Sequence, residues 1–129
     1  MNKLIGKEGA KLFAPALESN TSLRFLNLDS CKIGVSGMKS LAESLKTNAG
    51  IESLSLYRNI IDVDGARSLG VALKSNTSLK FIDIGHNRIR MTGLKSIIEG
   101  ILANNASRLS ELAIKWNFIT DEGLSFLFE

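Results

Sequence analysis

The sequence predicts an α/β solenoid, because one pattern of apolar residues recurs along most of the 129-residue chain. Leu23, Ile51, Leu79 and Leu109 open successive copies, which sets spacings of 28, 28 and 30 residues. Self-similarity at a fixed period of this length is typical of solenoids, in which each unit buries its apolar face on its neighbours. The chain should therefore be an array of about four repeats whose function lies in an extended surface.

The first half of each repeat predicts a strand. Between residues 51 and 56, buried-type Leu54 and Leu56 alternate with Ser55, which is the period of a strand with one buried face. Repeated units of constant handedness place such strands parallel, at a separation of about 4.8 Å.

The second half of each repeat predicts a helix. Between residues 65 and 73, apolar residues three and four apart share one helix face. Asp62 and Thr120 precede helical segments as candidate N-caps. Asparagines that close the helices, such as Asn48 and Asn76, are expected to adopt the left-handed conformation. Because a helix is about 10 Å thick, the helical side must spread, so the sheet should be concave and the helices convex.

The period divides the chain into a partial repeat at 1–22, repeats at 23–50, 51–78 and 79–108, and an incomplete repeat at 109–129. Solenoids normally carry polar capping repeats at their ends. The sequence instead starts inside a repeat, with Lys3 where the pattern calls for asparagine, and stops at Glu129 before the expected second helical leucine. We expect a single array that is a fragment of a longer protein.

The composition favours a soluble intracellular protein. Hydrophobic residues make up 44% of the chain and charged residues 22%, and no apolar stretch approaches the roughly 20 residues that span a bilayer. The net charge of +3 is small and its lysines are interleaved with acids, so we expect neither a nucleic acid nor a membrane as partner. Cys31 is the single cysteine, which excludes an internal disulfide and fits the reducing cytoplasm.

The repeated motif resembles a known family. Leu-x-x-Leu-x-Leu-x-x-(Asn/Cys)-x-Ile followed by Gly-x-x-x-Leu-x-x-x-Leu-x-x-Asn is similar to the ribonuclease-inhibitor type of leucine-rich repeat, with isoleucine replacing leucine at Ile51, Ile82 and Ile97. The resemblance covers essentially the whole chain. It implies a leucine-rich repeat solenoid, as in ribonuclease inhibitor, the sensor regions of NOD-like receptors and Ran GTPase-activating protein. These proteins are mostly intracellular and bind other proteins through the concave face or its rims.

The residue that follows each strand is interpreted as structural. Asn59, Asn87 and Asn117 occupy this position, with Cys31 in the first full copy. An asparagine amide has two donors and one acceptor, so it can satisfy backbone groups of adjacent loops.

Strand residues that point away from the core are the candidates for binding, since side chains alternate along a strand. Exposed aromatic residues together with arginine have the composition of a binding hot spot. The candidates are Phe25, Asn27, Asp29, Tyr57, Arg58, Phe81, Asp83, Lys115 and Trp116. A purely structural alternative stays open, in which Phe25 and Phe81 pack on strand neighbours and Trp116 covers a rim.

The sequence predicts no catalytic, metal or cofactor site. His86 is the single histidine, and with one cysteine no zinc site of about four ligands can be assembled. Asp62 and Asp64 lack the EF-hand pattern. Glycine pairs such as Gly34 and Gly37 recur with the repeat and serve turns, so they do not indicate a phosphate-binding loop.

We therefore expect a non-catalytic module that binds another protein through the concave strand face and its rim. The resemblance to Ran GTPase-activating protein implies an alternative, a GTPase regulator in which Arg58 or Asn59 reaches the GTPase. A further alternative is an architectural repeat of a NOD-like receptor or cytoskeletal assembly, which would self-associate through uncapped repeat ends.

Overall fold

A computed structural model describes residues 5–120, and within this range helices and strands alternate along the chain. Each helix is separated from the next by one short strand. The elements are α1 Gly6–Ser19, β1 Phe25–Asn27, α2 Gly34–Leu45, β2 Ser53–Ser55, α3 Val63–Leu73, β3 Phe81–Asp83, α4 Arg90–Leu102 and β4 Glu111–Ala113. The helix expected after Thr120, like Lys3 and Glu129, lies outside the described residues.

The strands form one parallel sheet in chain order, β1-β2-β3-β4. Leu26, Leu54, Ile82 and Leu112 are in register across it, each facing the same residue of the next repeat. Successive helices pack against each other beside the sheet. The predicted α/β leucine-rich repeat solenoid, with strands on the concave side and helices on the convex side, is confirmed.

The core lies between the sheet and the helices. Leu54 and Leu56 from β2 and its extension are buried, as is Leu69 from α3. In the outer strands Leu26 and Leu112 are partly exposed, because β1 and β4 have a strand partner on one side only among the described residues. Burial is therefore deepest in the middle repeats, as expected when each unit is covered by its neighbours.

Helices α3 and α4 pack closely where two glycines meet. A Cβ atom at Gly100 of α4 would lie 2.1 Å from the Gly70 carbonyl oxygen of α3, and one at Gly70 would lie 2.4 Å from the Ser96 carbonyl oxygen. Neither separation is sterically allowed, so these glycines permit α3 and α4 to approach. None of the helices within residues 5–120 has the length and hydropathy required to cross a bilayer.

An asparagine ladder follows the strands, as the sequence predicts. The Oδ1 atom of Asn59 accepts hydrogen bonds from the Cys31 and Ile33 N–H groups, both at 3.1 Å, and its Nδ2 atom donates to the Leu28 carbonyl at 2.7 Å. Asn87 bonds to the repeat that precedes it in the same way, because its Oδ1 accepts from the Asn59 and Ile61 N–H groups. Both side chains are buried. The ladder therefore joins each strand-to-helix turn to the previous one.

A second ladder joins the helix-to-strand turns. The prediction that the asparagines of these turns adopt the left-handed conformation is wrong. Asn76 donates to the Leu45 and Asn48 carbonyls and accepts from the Ser78 and Leu79 N–H groups. No asparagine within residues 5–120 has a positive φ. These asparagines are required for their amide groups, which satisfy buried backbone atoms of two repeats.

The predicted N-cap at Asp62 is confirmed, since its Oδ1 accepts from the Asp64 and Gly65 N–H groups at 2.9 and 3.1 Å. The two extra residues of repeat 79–108 are absorbed in the loop between α4 and β4. Phe81 still faces Glu111, so the register of the sheet is unchanged.

Candidate functional site

The outward-facing strand residues form rows across the concave face. Phe25, Ser53, Phe81 and Glu111 make the first row, and Asn27, Ser55, Asp83 and Ala113 make the second. Two strand spacings, about 10 Å, separate Phe25 from Phe81. Phe25 is 74% exposed, whereas Phe81 is half-buried. The structure thus places both predicted aromatics on this face without bringing their rings together.

The predicted polar residues of the strand face are engaged in local structure. Asn27 and Asp83 each use Oδ1 to accept from the backbone N–H two residues later, at 2.9 and 2.8 Å. Asp29 Oδ1 accepts from the Tyr57 N–H at 3.0 Å and from the Ser55 hydroxyl. These side chains hold the ends of the strands in place, so a partner would meet them in fixed positions.

The next row, beyond the ends of the strands, contains Tyr57 and Lys115. The Tyr57 ring meets the His86 ring edge to face, with centroids 5.6 Å apart. Gly85 makes this possible, because a Cβ atom there would lie 3.0 Å from Tyr57 Cδ2. Tyr57 therefore lies across the backbone of the third repeat, and its position depends on glycine at residue 85.

The turns that leave the strands have an unusual backbone. Ser30, Arg58, His86 and Trp116, one position before each ladder residue, have φ between 53° and 62°. Lys32, Ile60 and Phe118, one position after it, have φ between 54° and 61°. Left-handed geometry costs a residue other than glycine roughly 1–2 kcal/mol. The backbone therefore holds these side chains outward at the C-terminal edge of the sheet, at a cost in stability.

Three of these outward side chains are large and apolar. Trp116 is 74% exposed, Phe118 is 69% exposed and Ile60 is 50% exposed. They line one groove of about 1160 Å³ along the C-terminal edge. We call Ile60, Trp116 and Phe118 the rim cluster. Exposed apolar side chains grouped in this way are typical of interaction surfaces.

Cations surround the rim cluster. Lys32, Arg58, Arg88 and Lys115 line the same groove, and no carboxylate is among its described lining residues. The ion pairs found within residues 5–120 do not include any of these four cations. The Arg90 guanidinium carbon stands 5.8 Å from the centroid of the Phe118 ring, within the range of a cation–π contact. The groove therefore combines large apolar side chains with charged side chains that are all positive.

The structure separates the predicted site residues into two groups. Arg58, Lys115 and Trp116 line the groove, with Tyr57 beside it. Phe25 lies in the row where the strands begin, about 16 Å along the strand direction from the row of Trp116. Asn59, considered for a GTPase contact, is fully buried in the ladder and is not available to a partner.

Sequence reasoning missed Ile60, Phe118, Lys32 and Arg88. The signal was present, because these residues occupy one repeat position, between the ladder residue and a buried or partly buried isoleucine. Ile60 stands between buried Asn59 and Ile61, so its side chain must point outward. Among the described residues, no group of three or more histidine, cysteine or acidic side chains is placed to hold a metal ion.

A parallel strand-and-helix solenoid, held by two asparagine ladders and presenting an exposed rim, places the protein in the class of repeat proteins. Comparisons with known proteins give the family. The sequence profile described as Leucine Rich repeat matches residues 19–42, 75–97 and 108–128, which together exceed half of the chain. The protein belongs to the leucine-rich repeat family. A search of curated proteins gave no match.

Solved structures share the fold. The chain is similar to the actin-binding site 2 of leiomodin-1, with a TM-score of 0.74 and 19% identity over 86% of this chain and 62% of that one. It is also similar to the tropomodulin C-terminal domain of Caenorhabditis elegans, with a TM-score of 0.72 and 21% identity over 85% of this chain and 64% of that one. The chain thus spans less than two thirds of either structure.

Proposed function

We propose that this protein is a non-catalytic module that binds another protein through its concave strand face and the rim at the C-terminal edge. The observation that carries the proposal is the rim cluster, three large apolar side chains that are each at least half exposed in one groove. Aromatic residues and arginine are enriched where binding energy is concentrated. Arg58 and Trp116 have this composition and lie together at the groove.

Affinity capture from a cell extract tests the proposal with three variants of verified fold. One variant carries serine at Ile60, Trp116 and Phe118, and a second carries alanine at Phe25 and Phe81. The matched control carries serine at Leu12, Val71 and Leu102, which are also exposed apolar residues but lie on the convex helices. We expect the rim variant to lose the partner, the strand-face variant to bind it more weakly and the control to retain it.

The opposite pattern would favour the architectural alternative. If the control loses the partner while the rim and strand-face variants retain it, contacts are made by the convex helices. Self-association through repeat ends is tested separately by sedimentation of the purified chain over a range of concentrations. A strict monomer would count against an assembly held together by this part of the chain alone.

Actin is the first named partner to test. Leiomodin-1 uses a domain of this fold as an actin-binding site, and a cytoskeletal assembly is one of the architectural alternatives. Co-sedimentation with filamentous actin and pull-down of monomeric actin cover both states of the protein. Retention of actin by the wild-type chain and not by the rim variant would support actin as partner. Absence of binding to either state would dismiss actin for this chain while leaving other partners open.

GTPase regulation is the enzymatic alternative. Arg58 supports it, since this side chain is exposed at the rim and an arginine can stabilise charge on a transferring phosphoryl group. Single-turnover hydrolysis of GTP by Ran, with and without the chain, is the test. Acceleration that is lost in Arg58→Ala would establish the role, and an unchanged rate would remove it.

We further propose that the repeats are of the ribonuclease-inhibitor type and that the protein works in a reducing intracellular compartment. The period of 28 residues and the helix that follows each of β1, β2 and β3 support the first point. Cys31, the single cysteine, is buried and supports the second.

A further inference from the structure

We propose that the groove of the rim cluster receives an acidic protein segment that carries bulky aliphatic side chains. This inference rests on the proposed function and names the chemistry of the partner. The C-terminal edge then makes the principal contact with the partner, and the first strand row, with Phe25, makes a minor one.

Charge complementarity is the first argument. Lys32, Arg58, Arg88 and Lys115 line the groove, and the ion pairs between described residues leave all four unmatched. Four cations elsewhere on the described surface have acidic partners, as in Lys46–Glu43 and Lys80–Glu52, and others have none. The groove differs from the rest of this surface because four cations line one site that has no carboxylate among its described lining residues. A partner that brings carboxylates supplies the missing charges, and aligned potentials speed and select association.

The shape and surface of the groove are the second argument. The groove, of about 1160 Å³, takes its lining residues from four successive repeats, between Ser30 and Ile119, so it can accommodate an extended length of polypeptide. Ile60 and Phe118 are separated by Arg88 at the same repeat position, which alternates apolar and cationic groups along the edge. A segment that alternates acidic and aliphatic residues matches this order.

The surroundings favour a protein over a nucleic acid. Asp29, Asp83 and Glu111 lie on the adjoining strand face, where they would repel phosphates and carboxylates alike, so the distinction depends on the apolar side chains of the groove. Ile60 offers no flat ring for a base to stack on, although Trp116 and Phe118 do. A nucleic acid and an anionic membrane are therefore outcomes of the test, not parts of the proposal.

Trp116 is the single tryptophan, so its fluorescence reports on the groove alone. The probes are short synthetic peptide pools free of tryptophan, in which glutamates alternate with leucines, glutamates with alanines, or lysines with leucines. A single-stranded DNA oligonucleotide and phosphatidylserine vesicles complete the set. Each is titrated to about 1 mM, or the equivalent in lipid, at low and at high salt.

We expect the glutamate–leucine pool to shift Trp116 emission to the blue with saturation, and at least tenfold weaker binding at high salt. The glutamate–alanine and lysine–leucine pools should bind at least tenfold more weakly. Stronger binding by DNA or vesicles than by this pool, or no shift with this pool, would overturn the inference. Capture of a cellular partner by the wild-type chain would then still stand, so failure here is distinguishable from failure of the proposed function.

A charge-swap variant separates a binding role from a structural one. In Arg58→Glu/Arg88→Glu we expect the preference to reverse, so that the lysine–leucine pool binds and the glutamate–leucine pool does not. The control Lys39→Ala/Lys74→Ala removes two exposed cations from the helical side and should bind like the wild type. Unreversed preference in the folded charge-swap variant would contradict the proposal.

Discussion

The two edges of the sheet both have an asparagine ladder that joins successive turns, but they present different surfaces. Where the strands begin, Asn48 and Asn76 join successive turns, and where they end, Asn59 and Asn87 do so. Apart from Phe25, which is 74% exposed, the N-terminal edge is polar, with the Lys80–Glu52 ion pair and with Arg24 donating to the Thr21 and Gly50 carbonyls. The C-terminal edge carries the rim cluster and cations whose charge no described carboxylate matches.

This difference separates what the fold requires from what the surface adds. Both ladders satisfy buried backbone groups, so any array of this kind needs them. Nothing in the sheet or the core requires tryptophan at residue 116 or phenylalanine at residue 118, which are exposed and left-handed. Residues that cost stability without serving the core are candidates for function.

We expect the two ladders to contribute equally to stability. Removal of a ladder asparagine should have the largest effect of the changes considered. Asn87→Ala leaves the Asn59 and Ile61 N–H groups without their acceptor, and Asn76→Ala does the same for Ser78 and Leu79. Each unsatisfied buried group costs about 1–3 kcal/mol. We expect both variants to lose about 3 kcal/mol of unfolding free energy, measured by urea denaturation. A loss below about 1 kcal/mol at one edge alone would show that the two ladders are not equivalent.

Binding should distinguish the edges where stability does not. Trp116→Ala should weaken binding to a captured partner by about 2 kcal/mol, roughly 30-fold, as expected of a hot spot. Arg108→Ala, at the polar groove of the N-terminal edge, should leave affinity within about twofold. Isothermal titration calorimetry provides both values. Equal losses from the two variants would remove the distinction between the edges.

The sequence predicts the scaffold better than the surface, and the two edges show why. The repeat period and the alternation around Leu54 and Leu56 identify strands, helices and core, because burial constrains these positions strongly. The helix boundaries are close to expectation, with α3 beginning at Val63 instead of Gly65. The ladder at Asn59 is also predictable, since a buried asparagine needs partners on several sides.

The backbone of the C-terminal edge could not be predicted in the same way. Left-handed geometry at Ile60 and Trp116 contradicts their intrinsic preferences, since only glycine and asparagine adopt it easily. The turn imposes this conformation through contacts between repeats, such as the Arg58 N–H to the Gly85 carbonyl at 3.1 Å. Local sequence contains no trace of such contacts, so a propensity rule assigned the left-handed residues to the asparagines instead.

Relief of backbone strain should separate stability from binding at the C-terminal edge. Ile60 is β-branched, left-handed and 50% exposed. Asparagine tolerates this conformation, so Ile60→Asn should raise the unfolding free energy by about 1 kcal/mol while it weakens partner binding. Val71→Asn is the matched control, because Val71 is 47% exposed within α3. The control should be neutral or slightly destabilising. Destabilisation by Ile60→Asn would mean that this side chain contributes to packing.

The smallest effect is expected at the N-terminal edge, from the ion pair of Lys80 with Glu52. The Lys80 Nζ and Glu52 Oε2 atoms are 3.1 Å apart, but both side chains are substantially exposed. Exposed pairs contribute about 0–1 kcal/mol, because water and salt screen them. Lys80→Ala should therefore change the unfolding free energy by less than about 0.5 kcal/mol and leave partner binding unaltered. A larger loss of binding would place a second contact surface where the strands begin, and the partner would then span the whole concave face from one edge to the other.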